Sequence, residues 1–315
     1  MYHPGDIIEA IAANLRTTRN PFGIPHFIVN RWWRDAGLTA RGDALLFTGL
    51  MYQFVPYIET STAYLARYED TPLAGYLRYA RYAPGTLAGL GLAAITPARE
   101  KRRFDRILQD IARLLKASDV DFYYRPELDR YSGILLYDLG DQAGFVRHAR
   151  WLAHRLQKAG VKKLITVDPH TTYALKELFP KYTGARFEVH PYFELLRLKG
   201  GNGRRTVALH DPCFYGRYLG LSDVPARALA ELGIDCAPLD RSGAYTHCCG
   251  GPAESVSPKL AGEVGRRRLD QLEQTGAPIV AMCPICLGNL RKLGAEVRDL
   301  SSVMAEALER NDLNK

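Results

Sequence analysis

A chain of 315 residues is long enough for two domains of ordinary size, and 47% apolar content with three Trp and eleven Phe excludes an intrinsically disordered chain. No apolar run reaches the roughly 18 residues that span a bilayer, so an integral membrane protein is not expected. The net charge of +8 favours acidic partners through long-range attraction, yet no basic stripe interleaved with aromatics accompanies it, so nucleic acid is not an expected partner.

The first residues, Met1-Tyr2-His3-Pro4, lead into a polar amphipathic stretch rather than a charged flank and an apolar core, which predicts a reducing cytoplasmic setting. Residues 5–17 carry the apolar period of a helix, stopped at Asn20-Pro21-Phe22-Gly23. Trp32 and Trp33, in the aromatic segment from Phe27 to Ala36, are expected to pack on the main body. Residues 44–47 read as a strand, followed by a helical stretch to Tyr68 that is expected to break or bend at Pro56. The Ala-, Gly- and Tyr-rich stretch 73–97 reads as a buried core helix, 99–117 as a charged amphipathic helix and 119–124 as a strand. A helix is expected over 140–158 and a strand over 163–167, which enters Asp168-Pro169-His170-Thr171 and a helix to Leu178. Residues 187–190 read as a strand, 191–199 as a short helix and 201–205 as a turn or linker. Strands are then expected at 207–210, 234–239 and 278–282, with helices at 225–232 and 257–275.

Strands alternating with helices predict an α/β fold with parallel sheets. The chain also repeats itself. KLITVDPHTTYALKEL parallels PIVAMCPICLGNLRKL, so Asp168-Pro169-His170-Thr171 stands where Cys283-Pro284-Ile285-Cys286 stands. Tyr131-Ser132-Gly133 stands where Cys248-Cys249-Gly250 stands, and Gly49-Leu50 lies against Pro212-Cys213. The spacings agree, with 34 residues between Gly133 and Asp168 and 32 between Gly250 and Cys283. The expected organisation is therefore a helical lead-in (1–40) and two pseudo-symmetric Rossmann-like units (41–200 and 201–315), with the site at the carboxyl edge of the strands near their interface.

Five of the six cysteines fall in the second unit's pattern, as HDPC, HCCGGP and CPIC, and the first 212 residues contain none. In a reducing compartment such clustering points to metal ligation or redox chemistry rather than structural disulfides. Gly250-Gly251-Pro252 permits a tight turn beside the pair, and Pro284 stiffens the CPIC turn. Adjacent Cys248 and Cys249 are awkward ligands for one tetrahedral zinc and natural ligands for different irons of a cluster. Zinc and a CPIC redox dithiol remain alternatives, the dithiol leaving Cys213, Cys248 and Cys249 unexplained. Cys236 lies outside the pattern and reads as a core thiol.

This motif resembles the cysteine-rich CCG domain, which occurs in the B and D polypeptides of heterodisulfide reductase and in iron–sulfur subunits of glycolate, lactate and glycerol-3-phosphate oxidoreductases. In the B polypeptide the full motif binds a noncubane [4Fe–4S] cluster through five cysteines, so the resemblance implies Cys213, Cys248, Cys249, Cys283 and Cys286 as ligands. Two such clusters face each other there and cleave a disulfide between them. Here Leu50, Tyr131, Ser132, Asp168 and Thr171 occupy the mirror positions, and a second cluster of that type is not expected. The resemblance implies an iron–sulfur subunit of a heterodisulfide reductase-like complex acting on a disulfide or thiol. The alternatives are an electron-relay subunit of an organic-acid dehydrogenase complex and a zinc-stabilised interaction module. No ferredoxin-like cysteine run is present, so ferredoxin-like or flavoprotein subunits are the expected electron partners, in the cytoplasm or in a membrane-associated complex. His210 and His247 are candidates for hydrogen bonding or proton supply at the cluster. Asp168 and His170 are candidates for a substrate cleft, with helix capping as the simpler role for Asp168. Arg217 is read as a partner for an anion or the cluster charge, or as a surface residue, and Tyr52, Tyr215 and Tyr218 as cleft walls.

Overall fold

The computed structural model describes residues 4–68, 71, 85–198 and 205–313. They build two four-stranded sheets of identical plan. The first contains β1 (Ala44–Phe47), β2 (Phe122–Tyr123), β3 (Lys163–Thr166) and β4 (Glu188–Pro191), in the order β2-β1-β3-β4. The second contains β5 (Arg205–His210), β6 (Ile234–Cys236), β7 (Ile279–Ala281) and β8 (Val297–Asp299), in the order β6-β5-β7-β8. Every pairing is parallel, with Leu45 opposite both Tyr123 and Leu164, and Leu209 opposite Val280. All four residues of β1 are buried, as expected of parallel strands covered on both faces. Each sheet reverses its winding beside its first strand, between β1 and β3 and between β5 and β7, and such a reversal opens a crevice at the strands' carboxyl ends.

The internal repeat extends to backbone angles. Gly133 and Gly250 have φ of 87° and 88° and each starts a short helical turn from the left-handed region, where glycine is free of the Cβ penalty. Asp168 and Cys283 are both extended N-caps, with φ of −135° and −133°, and each is followed by a proline at the start of its helix.

The units share an interior. One apolar cluster runs from Trp32 and Phe104 to Leu209, Leu287 and Met304, and helix Ala98–Ala117 of the first half packs along helix Leu300–Leu313 of the second. Tyr52 Oη donates to Asp299 Oδ2 across this seam at 2.7 Å, with both groups buried. Trp32 packs edge-on against Tyr124, as expected of a body-packing residue.

Some elements differ from the expectation. Helix Met51–Tyr68 runs unbroken through Pro56. Only 122–123 of the expected 119–124 strand pairs, and the described part of the expected 191–199 helix holds the 3₁₀ turn Tyr192–Glu194 instead. Residues 73–84 of the expected core helix and 201–204 of the expected turn lie outside the described residues. The part that is described, helix Gly85–Ile95, buries only Gly89 and Ala93 and exposes Leu87, Leu90 and Ile95. Its apolar surface runs around the helix instead of along one stripe, so one flank is left uncovered.

Candidate metal centre

The crevice of the second sheet receives all five patterned cysteines. Cys213 follows β5, Cys283 and Cys286 flank the first turn of helix Pro284–Lys292 after β7, and Cys248-Cys249 precedes the left-handed Gly250. Their thiols are coupled in series, Cys213 with Cys248, Cys248 with Cys249, Cys249 with Cys286, Cys286 with Cys283, and Cys283 with the His170 ring of the first unit. Cys249, Cys283 and Cys286 are buried, and Cys213 and Cys248 are half-buried. No two are joined as a disulfide. Cys236 stands apart as a half-buried free thiol whose pKa burial pushes up to about 11.

Proton sharing along this series is uneven. Hydrogen bonds from Cys213 and Cys249, with the Gly250 N–H at 3.4 Å, hold Cys248 far below the ordinary thiol range. Burial opposes ionisation of Cys283, but hydrogen bonds from Cys286 and His170 outweigh it and bring its pKa well down. The neighbouring Cys213, Cys249 and Cys286 are pushed up. A group that supplies positive charge to all five sulfurs removes this competition, since thiolates are the metal-ligating form.

Two buried donors support that fit. Arg268 is fully buried on helix Pro258–Glu273, and its Nε donates to His210 Nδ1 at 3.0 Å. His210 Nδ1 is therefore an acceptor, which places the ring proton on Nε2 in the neutral imidazole. Burial first, and then the Arg268 charge, lower the His210 pKa to about 3. Ligand atoms of His210, Cys249 and Cys286 lie within 4.8 Å of one another. With Nδ1 committed, the imidazole faces the sulfurs as an N–H donor rather than as a lone-pair ligand. His210 Nε2 and Arg268 Nη2 have no hydrogen-bond partner among the described residues. Electron-rich sulfur is the acceptor such donors need.

The remaining expected residues divide. His247 is half-buried and bonded through Nδ1 to Gln271, which in turn accepts from Arg268, so a side-chain relay joins its ring to the site. Asp168 caps its helix by accepting from the Thr171 N–H at 2.9 Å, and burial pushes its pKa up to about 6. His170 lies against Cys283 with its ring 4.5 Å from that of Phe214. Burial disfavours its charged form, but Cys283 and the carboxyl groups of Asp138 and Asp168 prevail and raise its pKa to about 9. Arg217 is exposed on the surface, where it donates to the carbonyls of Ala244 and Thr246 and ties down the loop before Cys248. Tyr52 and Tyr215 are fully buried in the seam, and Tyr218 is over half exposed beside Phe214, so none of the three walls the large cavity between the units.

That cavity, of 610 Å³, opens against His170, Gly251 and Ile285. Its walls come from helices Pro4–Thr18, Met51–Tyr68 and Ile134–Asp138. In the first unit, the positions matching the cysteines carry oxygen except at Leu50. Ser132, Asp168 and Thr171 are fully buried, and Ser132 Oγ, Asp168 Oδ2 and Thr171 Oγ1 are unpartnered among the described residues. Sequence reasoning missed Arg268, which sits in an Arg266-Arg267-Arg268 run on a charged helix. It also missed Asp138. Neither carries a local signal, because burial of one arginine in three depends on the register of the packed helix.

Comparison with known proteins agrees with this geometry. Residues 207–291 match the CCG cysteine-rich domain family. The chain is 29% identical over 229 residues to a probable membrane-anchored ferredoxin of Chromohalobacter salexigens, covering 66% of this chain and 34% of that protein. It is 27% identical over 197 residues to a probable iron–sulfur-binding oxidoreductase of Bacillus subtilis, covering 59% and 28%. It is 31% identical over 180 residues to the D polypeptide of the dihydromethanophenazine:CoB–CoM heterodisulfide reductase of Methanosarcina barkeri, covering 51% and 44%. The chain thus spans less than half the length of each of these relatives. It carries a CCG cysteine-rich domain and is distantly homologous to heterodisulfide reductase and ferredoxin-type iron–sulfur proteins.

Proposed function

We propose that this protein is an iron–sulfur, electron-transferring subunit of an oxidoreductase complex related to heterodisulfide reductase. In this reading Cys213, Cys248, Cys249, Cys283 and Cys286 hold one noncubane [4Fe–4S] cluster, and a disulfide or thiol substrate reacts beside it. The observation that carries the reading is the convergence of the five cysteines at the carboxyl edge of β5 and β7, where ligand atoms of His210, Cys249 and Cys286 lie within 4.8 Å of one another. When bound, such a cluster supplies one-electron redox chemistry.

The protein's own groups have separable tasks. His210 and Arg268 place an N–H and a buried positive charge beside the sulfurs, which stabilises their negative charge in a low-dielectric interior. Gly250 adds a backbone N–H to Cys248. His170 stands between Cys283 and the cavity, where it can hold a proton for a substrate atom. Asp168 fixes the helix that carries His170. The cavity against the cysteine turn favours substrate chemistry at this site over a simple relay, for which a docking face alone suffices. Ferredoxin-like or flavoprotein subunits are the proposed electron partners, and the proposed division into lead-in and units is 1–40, 41–200 and 201–315. Among the described residues no helix is long and apolar enough to cross a membrane. The proposed setting is the cytoplasm, free or at a membrane complex.

Anaerobic purification with iron, sulfide and zinc quantification and EPR spectroscopy tests this. The expected result is about four irons with matching sulfide per chain, with loss of the native EPR signature in Cys249→Ser. Zinc without iron would instead select the zinc-stabilised module. An intact cluster after replacement of all five cysteines would refute the ligand assignment.

A further inference from the structure

The cavity between the units says something about the molecule that enters it. Its walls are dominated by Ile7, Ile11, Phe22, Phe54, Ile58 and Leu135. Its volume of 610 Å³ falls in the range of small-molecule sites. The charge on its walls is unfavourable to anions. Its carboxyl groups are Asp138 and Glu254, and no Lys or Arg lines it among the described residues. Lys292, which stands behind Glu254, is already bonded to that carboxylate at 2.6 Å and to Thr62 at 2.7 Å. The one imidazole that lines it among the described residues, His170, is flanked by Cys283 on one side and by Asp138, 3.9 Å away, on the other. A multiply anionic ligand would lose its hydration here and meet, in return, two carboxyl groups and an imidazole already engaged by Cys283 and Asp138, a poor exchange in an apolar site.

We propose that this cavity binds an uncharged, apolar redox molecule whose hydrogen-bond-accepting end rests against His170, next to Cys283. The polarity of the ligand follows from the cavity walls. Its redox character rests on the reading of the cysteines as a cluster site. A quinone-type head on a hydrocarbon tail and an uncharged alkyl disulfide share this chemistry. A disulfide bearing carboxylate or phosphate groups does not.

Calorimetric titration of the anaerobically purified full chain separates these. The probes are decylubiquinone, dibutyl disulfide and dithiodibutyrate, the last being a similar disulfide with two carboxylates. At least one uncharged probe is expected to bind about tenfold or more tightly than dithiodibutyrate, and which of the two does so identifies the head group. Ile58→Lys, which adds a cation to the wall, is expected to weaken that binding about tenfold and to narrow or reverse the preference. Ile11→Lys on the opposite helix repeats the test should the first variant melt early. Dithiodibutyrate binding as tightly as both uncharged probes, or no binding of either uncharged probe, overturns the proposal. Iron and sulfide measured on the same sample keep the two readings apart. A cluster-free protein that still prefers uncharged probes refutes the cluster and leaves the cavity's polarity standing, whereas a loaded protein that prefers the dicarboxylate does the reverse.

Discussion

Replacing Tyr52 by Phe removes one hydroxyl from the seam between the units and leaves the ring in place beside Phe104. The lost bond runs from Tyr52 Oη to Asp299 Oδ2 at 2.7 Å, while Asp299 Oδ1 keeps the Ser301 N–H and hydroxyl at 2.9 and 2.6 Å. Burial pushes the Asp299 pKa from 3.8 to about 6. The folded protein therefore binds the proton more tightly than the unfolded chain. The associated stability is fully present below pH 3.8 and is lost as pH rises to about 6, a change of about 3 kcal/mol. Above pH 6 the hydroxyl serves a carboxylate, and such bonds contribute about 1.5–3 kcal/mol; below pH 4 it serves a neutral acid, at about 0.5–1.5 kcal/mol. Tyr52→Phe is thus expected to destabilise more at pH 8 than at pH 4, by about 1 kcal/mol, and to move the Asp299 transition upward. Urea unfolding followed by tryptophan fluorescence at matched cluster content measures both. Equal losses at the two pH values, or no loss at pH 8, would refute the assignment of this bond as a charge-bearing link between the units.

Two other outcomes are expected. His148 is buried with Nε2 on the Tyr131 carbonyl at 2.8 Å, and burial lowers its pKa from 6.5 to about 4. Its contribution is present above pH 6.5 and lost as pH falls through 4, a loss of about 3 kcal/mol, so His148→Gln should flatten the acid limb of a melting-temperature profile; an unchanged limb would count against it. Gly250→Ala combines a left-handed φ of 88° with a Cβ 2.1 Å from the Ala261 carbonyl oxygen, whereas Gly140→Ala has the same φ and open space. The second should cost about 1–2 kcal/mol from backbone strain alone, and the first distinctly more, with loss of bound iron. Matching unfolding midpoints for the two variants would show that the turn beside Cys249 can relax.

The candidate cysteine site was legible in the sequence because its signals are local. HDPC, HCCGGP and CPIC each combine a ligand with the glycine or proline that shapes its turn, and Tyr131-Ser132-Gly133 and Asp168-Pro169 repeat the punctuation without the thiols. Strands β1, β3, β5 and β7 were legible as apolar runs for the same reason. The end of the chain was not. β8 is only Val297-Arg298-Asp299, too short and too polar to show a period, and helix Leu300–Leu313 is recognised by its packing on Ala98–Ala117. Helix Pro284–Lys292 was visible only through the repeat. Tyr52 was read as a cleft wall because nothing near it in sequence announces Asp299, 247 positions away. The cavity needed three helices from distant parts of the chain to be brought together before it existed.

The shared interior has a consequence for how the protein tolerates change. The half that contains no thiols contributes Trp32, Tyr52, Phe104 and Ile165 to the same apolar cluster as Cys249, Cys283 and Cys286. A duplicated unit that lacks its own ligands would ordinarily be free to drift or disappear. Here its buried faces are part of the mould in which the sister unit's sulfurs are set, so a large-to-small change among its packing residues is felt at the candidate site. Ser132, whose buried hydroxyl has no partner among the described residues, is where such a molecule can be remodelled with least effect on the candidate site, whereas Asp168 holds the helix that carries His170.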